Sequence, residues 1–558
     1  MLSCPSRIAL VAAAGVLTTS TLGAQVRLVS EAPSQVIADL TPVAAYQMPA
    51  IDVAGLLAED EARGVKAGAY RYGAEIPVEF DVKQMSTVTA LPGGGSVYRM
   101  QIDSPGAHSL ALSFSRFALP EGAGLWIHAA DGIDSYGAFG AHNNKADGLF
   151  SIIPMPDDHI IVEYVEPGFV ASPGELVIDM VVHGYRDVLG ARKSDSYAGG
   201  SGGCNVDVNC SVGDPWQDQI RSVARTFSGG FLCTGALINN SANDGKQLFW
   251  TANHCGSMNN ATFLFNYESS GCGSGGAPTN QSVQGSVLLA NNSSVDYRLV
   301  RITGNIPDNY DVYFMGWNRG TANPPNTFSV HHPSGDRKKI SFDDDTATKS
   351  GTDWRIAEWD LGVTEGGSSG SPLFDHNGRF IGQLCCGQAA CGFPFNDYYG
   401  RFDLAWNNVN SELDPSGSGS MTLDGFDPDN PGGGSGTWTG LGGGLAGVLG
   451  SAPSLSGNGS MNPGTTTTLT MTGSLPNVTG TLVVGVSQAN VPLKGGILIP
   501  SPTALVPVTT TIAGSLGLSS PWPAGIPPMT SIWYQIWVSD FGAPQGFAAT
   551  NGLRGDTP

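Results

Sequence analysis

Alternating apolar and polar residues recur in three stretches of the chain, separated by segments rich in glycine and serine. From Gln25 to Lys193, runs such as "HSLALSFSRFALP" and "GLWIHAADG" alternate between Gly, Pro and Asp turns. A period of two bounded by turn residues predicts half-buried strands and a β-rich unit of the sandwich kind. Residues 194–427 read as many short strands, among them "FLCTGALINN", "KQLFWTANHC", "DYRLVRITG" and "RFIGQLCCG", a pattern that suits a β-barrel or double barrel. Residues 428–450, "DPDNPGGGSGTWTGLGGGLAG" and its borders, read as a flexible glycine-rich linker. Beyond it, residues 451–558 alternate again in "TLVVGVSQANVPLKGGILIP" and "SIWYQIWVSD" and predict a further small β-sandwich. The fold class expected is mainly β throughout.

The first 24 residues break the pattern. Arg7, an apolar run from Ile8 to about Leu17 and small residues ending at Gly23-Ala24 form a signal peptide, too short for a membrane span. The product is then secreted, or periplasmic. Cysteine placement agrees: Cys4 leaves with the leader, and the other eight cysteines all fall between 204 and 391. Disulfides of an oxidising compartment explain such clustering. No CxxC pair occurs, so a zinc site is disfavoured and neither metal nor cofactor is expected. A net charge of -21 with 27 basic residues excludes the concentrated basic surface that nucleic acid needs.

Chemistry gathers in the middle stretch. A serine hydroxyl becomes a nucleophile only with a base, an orienting group for that base and donors for the developing oxyanion. "GGSSGSP", Gly366 to Pro372, places Ser369 in a turn of small residues, where the amides of Gly367 and Ser369 can converge as an oxyanion hole. "FWTANHCG" puts His254 at the end of an apolar strand, and Asp296 opens the alternating strand "DYRLVRI". Each alone has an ordinary structural explanation: a Gly/Ser turn, a core histidine, a turn aspartate. Together, in the order His254, Asp296, Ser369, they follow the chymotrypsin triad. His331 and His332 in "VHHPSG" are left as structural histidines.

The segments "GGCNVDVNC", "FLCTGALINNSANDGKQLFWTANHCG", "VDYRLVRI", "HHP", "GVTEGGSSGSP" and "DYYGRF" resemble the secreted bacterial lysyl endopeptidases, trypsin-fold serine proteases that cut after lysine. The resemblance covers about Gly203 to Asp427. It implies a chymotrypsin-like double β-barrel, the triad His254, Asp296 and Ser369, and disulfides Cys204 to Cys391, Cys210 to Cys272 and Cys233 to Cys255. It further implies Asp397 as the acid that receives a substrate ammonium; the trypsin position for that acid, six residues before the serine, is Val363 here. Two departures stand out. Cys385-Cys386 replace a cleft histidine of the family, and the family's cleft aromatic has no secure counterpart, Trp354 being the candidate.

Family members are made as precursors, which casts residues 25–193 as a propeptide and Lys193, in an exposed linker, as a bond the enzyme can cut itself. The expected activity is that of a secreted serine endopeptidase acting on proteins or peptides, on the carboxyl side of lysine, through an acyl-enzyme on Ser369. Broader or Arg-inclusive specificity is one alternative; an inactive protease-like binding or adhesion protein is the other. The tail is open to cell-surface or carbohydrate contact through Trp522, Trp533, Tyr534 and Trp537, or to use of the same aromatics as core. A monomer is expected.

Overall fold

The computed structural model describes residues 32–557 apart from 37–39, 65, 67, 93, 131, 133, 191–199, 429–436, 462–465, 524–525 and 527–529. The leader read over 1–24 and the linker residues Arg192 and Lys193 lie outside the described residues.

Two sheets form the N-terminal part. One follows the order Ala44–Gln47, Ser96–Asp103, His159–Glu166, Gly124–Ala129, Ser135–Phe139, with Thr87–Ala90 added on Ser96–Asp103. The other runs Gly73–Asp81, Glu175–Gly184, Ser109–Ala118, Phe150–Ser151. Met100, Ile102, Leu112, Phe114, Ile127, Val162 and Val181 share one core. In "HSLALSF" the alternating Leu110, Leu112 and Phe114 belong to this core, and their neighbours Ser109 and Ala111 are buried as well. This core does not stop at the N-terminal part: Phe227, Leu232, Leu264 and Tyr267, from beyond the basic linker, belong to it as well.

The middle part carries two large sheets, the halves of a chymotrypsin-like double barrel. The first is eight-stranded and runs from Ser282–Gln284 through Thr262–Phe265, Val223–Ser228, Phe231–Leu237, Leu248–Ala252 and Tyr297–Ile302 to Ser286–Asn292. Its remaining strand, Tyr70–Arg71, comes from the N-terminal part and pairs antiparallel with Phe231–Leu232. The second is ten-stranded, and its centre is Thr327–His331, Pro372–Asp375, Phe380–Gly387, Phe395–Arg401 and Asp353–Glu358. Helix Phe402–Leu413 closes the domain, burying Phe402, Ala405, Val409 and Leu413 at helical spacing against Trp250 and Trp317.

In the C-terminal part, a six-stranded and a three-stranded sheet enclose Leu455, Met471, Leu482, Trp522, Tyr534, Ile536 and Val538. Trp537 is buried too, and Trp533 is half-buried. The glycine-rich stretch read as linker over 428–450 is corrected in part: Thr437–Gly442 is a strand paired with Gly552–Asp556. Trp438 supplies the reason, since it packs on Tyr534 and donates its Nε1–H to the Gly459 carbonyl at 3.0 Å. Among the described residues no helix is long and apolar enough to cross a membrane.

Candidate active site

His254 and Asp296 sit at neighbouring strand ends of the first sheet. Leu248–Ala252 pairs with Tyr297–Ile302, Ala252 lying opposite Tyr297, so the residues just outside the ladder meet. His254 Nδ1 and Asp296 Oδ2 are 2.6 Å apart, and the His254 amide donates to Asp296 Oδ1 at 2.9 Å. Asp296 takes an unusual backbone to do this, with φ of 56°. Such a conformation persists in a non-glycine residue only where its surroundings hold it. Here Gln383 donates to the carbonyls of Val295 and Asp296 at 2.8 and 3.2 Å, and Trp250 Nε1–H donates to Gln383 Oε1 at 2.8 Å. A carboxylate on Nδ1 leaves Nε2 as the reactive nitrogen of the imidazole. Nε2 is buried and has no hydrogen-bond partner among the described residues.

Ser369 is pinned to the same sheet, on Phe231–Leu237. Its carbonyl accepts from the Thr234 amide at 2.9 Å, and Cys255 Sγ, next to the histidine, lies 3.8 Å from that carbonyl. Cys255 is bonded to Cys233, so the disulfide ties the histidine corner to the strand that holds the serine. Thr234 Oγ donates to the Gly367 carbonyl at 2.9 Å, and Gly367 has φ of 92°, a conformation glycine adopts freely. Within the turn, the Ser368 amide donates to the Glu365 carbonyl and the Gly370 amide to the Leu384 carbonyl. The amides of Gly367 and Ser369 have no acceptor among the described residues, which keeps both available for an oxyanion.

Asp397 lies on Phe395–Arg401, opposite Gly387, and is fully buried. A buried carboxylate needs several donors, and Asp397 has them. Its Oδ2 accepts from Trp359 Nε1–H at 2.8 Å and from Thr364 Oγ–H at 2.6 Å. Its Oδ1 accepts from the Ala389 amide at 3.3 Å and faces a lysine ammonium, Lys66 Nζ, at 2.5 Å. The same ammonium donates to Thr364 Oγ at 2.5 Å. Burial pushes the Lys66 amine down from the ordinary lysine range, and the Asp397 charge opposes that shift. Gly387 permits this close approach: a Cβ there would stand 2.0 Å from Asp397 Oδ1 and 2.8 Å from the Asn396 carbonyl.

Val363 is buried with Trp359, Leu373 and Tyr399, so the trypsin position for the acid is core here. Cys204–Cys391, Cys210–Cys272 and Cys233–Cys255 are bonded. Cys385 and Cys386 are free thiols, not a vicinal bridge, and Cys386 borders the cavity that contains Lys66. Their mutual hydrogen bond raises the Cys385 thiol above the usual range and lowers that of Cys386. Trp354 is buried and donates to the Ile381 carbonyl at 3.1 Å, which corrects its reading as a cleft residue. His331 is enclosed between Ser368 Oγ (2.8 Å) and Ser341 Oγ (2.9 Å), and burial pushes its pKa to about 3; it is a neutral prop beneath the serine turn. Cys233, His254 and Cys255 offer ligand-type atoms within 4.8 Å of one another, but both sulfurs are committed to a disulfide. Gln383, Trp359, Thr364 and Lys66 were not singled out from sequence. Only Lys66 carried a signal, a lone lysine in "RGVKAG", the residue type that a lysine-directed pocket reads.

Residues 198–400 match the family described as lysyl endopeptidase, C-terminal domain. A lysyl endopeptidase of Pseudomonas aeruginosa is 28% identical over 367 residues, spanning 58% of this chain and 76% of the relative. Similar solved structures include a Glu endopeptidase, 17% identical, covering 38% of this chain and 97% of that one with a TM-score of 0.27. A mutant of human heparin binding protein is 15% identical, covering 37% and 95% with a TM-score of 0.28. The low scores of these two carry no weight beside the family match. The family match and the Pseudomonas relative define the class, a serine endopeptidase. Within that class, residues 198–400 resemble the lysyl endopeptidases.

Proposed function

We propose that the protein is a secreted endopeptidase that cuts on the carboxyl side of lysine through an acyl-enzyme on Ser369. His254 Nε2 takes the Ser369 proton as the hydroxyl attacks the scissile carbonyl, and returns it to the leaving amine. Asp296 holds the imidazole tautomer and stabilises the imidazolium, while the Gly367 and Ser369 amides receive the oxyanion. Water then releases the acyl group by the same relay. The observation that carries the lysine reading is the fully buried Asp397 carboxylate, already in contact with an ammonium beside the serine turn. Residues 1–24 act as a leader and 25–193 as a propeptide; the three disulfides support the exported location.

The test uses processed enzyme with matched lysine and arginine amide substrates, together with a fluorophosphonate probe. The reading expects labelling of Ser369 and a strong lysine preference. Equal rates on both substrates would replace it with a broader trypsin-like specificity, and a chain that neither cleaves nor labels would be a protease-like binding protein.

A further inference from the structure

Lys66 is the cation on Asp397, and it comes from the other side of the basic linker. Its side chain is 3% exposed and that of Asp397 0%. Two anchors hold the segment around it. Before it, helix Val53–Arg63 is fixed by Asp60, which accepts from Arg71, Arg186 and Tyr185 at 2.9, 2.9 and 2.6 Å. After it, Tyr70–Arg71 pairs with Phe231–Leu232, directly before the catalytic-side disulfide at Cys233, and the Tyr72 and Gly73 amides donate to the Gly230 carbonyl at 2.9 and 3.1 Å. Gly64 and Gly68, with φ of 88° and 116°, let the chain turn on both sides of the lysine. Lys66 thus meets Asp397 between a helix anchored through Asp60 and a strand paired directly before Cys233.

We propose that Lys66 is a built-in occupant of the lysine pocket, which keeps the uncut chain latent by presenting its own substrate-like side chain to Asp397. The proposal rests on the reading of Asp397 given under Proposed function. An ammonium tethered on both sides competes at an effective concentration in the millimolar range or above, against which dilute substrate is a weak competitor. Because Phe227, Leu232, Leu264 and Tyr267 share the N-terminal core, a cut in 191–199 alone leaves the pocket filled. Latency ends when the N-terminal part departs or is digested.

The experiment compares two full-length chains that cannot cut themselves, Ser369→Ala and Ser369→Ala with Lys66→Ala. The probe is n-pentylammonium, a lysine side chain with its Cα carbon but no peptide groups, so main chain lying across the cleft does not compete with it. n-Pentanol serves as the uncharged control, and binding is read as a saturable rise in the unfolding midpoint. The same amine is tested as a competitive inhibitor of the processed wild-type enzyme. The proposal expects inhibition of processed enzyme, no saturable binding to the first chain, and affinity at least about tenfold higher in the Lys66→Ala chain, as the fraction of open pocket rises. Equal binding to both uncut chains overturns the plug and leaves the Asp397 reading standing. Inhibition of processed enzyme with no binding to either uncut chain also overturns it. If the amine ignores processed enzyme as well, the Asp397 reading fails and the plug fails with it.

Discussion

Replacing Asp397 with asparagine isolates the charge of the pocket from its shape. The amide keeps one oxygen for Trp359 Nε1–H or Thr364 Oγ–H, which lie 2.8 and 2.6 Å from Oδ2 in the wild type. It removes the carboxylate that faces the ammonium at 2.5 Å in a site with no exposure. Deleting one partner of a buried ion pair costs about 3–5 kcal/mol, because the remaining charge stays desolvated. Converted at about 1.4 kcal/mol per decade, kcat/KM on a lysine amide should fall roughly 10²- to 10⁴-fold. The reaction of Ser369 with a small neutral fluorophosphonate needs the triad but not the pocket, so its rate should change little. The assay is therefore a pair of rates on the same processed preparation. A fall of less than about tenfold on lysine substrate, with labelling intact, would refute the assignment of Asp397, since a desolvated ammonium could not lose its counter-charge so cheaply. Parallel loss of both rates would show that the substitution had disturbed the serine turn instead.

Other consequences are equally direct. Asp296→Asn should lower kcat by roughly 10⁴-fold, because an amide can favour the wrong imidazole tautomer; a loss under tenfold would remove Asp296 from the relay. Gly387→Ala pushes a methyl towards Asp397 Oδ1 and the Asn396 carbonyl. At the 1–3 kcal/mol typical of local strain, lysine kcat/KM should drop about five- to a hundredfold while fluorophosphonate labelling persists. Asp343 is buried near Asp360, Asp345 and Asp344, and burial first, then those charges, raise its pKa to about 7. The folded state then binds a proton that the unfolded state has lost between about pH 4 and 7, so stability falls as pH rises through that window. Asp343→Asn should remove that fall, by up to about 4 kcal/mol at pH 8 relative to pH 4; a variant whose stability difference from wild type is the same at both pH values would contradict the assignment.

The candidate site was legible in sequence where its residues lie in local motifs. Ser369 sits in a turn of residues chosen for size, and His254 and Asp296 end or begin apolar strands that the ladder then aligns. Asp397 was legible only by resemblance, because its partners Trp359, Thr364 and Ala389 are scattered along the chain and no spacing rule joins them. Gln383 left no trace, although it props the strained Asp296, since a glutamine in a strand looks the same whether or not its amide is buried. Composition misled at Thr437–Gly442, where glycines outnumber the single Trp438 that anchors the strand. It also hid the helix Phe402–Leu413, whose apolar spacing was present in a region read as strands. Lys66 illustrates the limit most clearly: the carboxylate it meets, Asp397, is 331 residues away.

Peptide mapping gives the most direct test of the central claim. One denatured protein is digested with processed enzyme, alongside a Ser369→Ala preparation, and every new terminus is identified by mass spectrometry. Cuts almost wholly after lysine, absent with Ser369→Ala, are the predicted result. Cuts spread over many residue types, or cuts that survive the loss of Ser369, would contradict it.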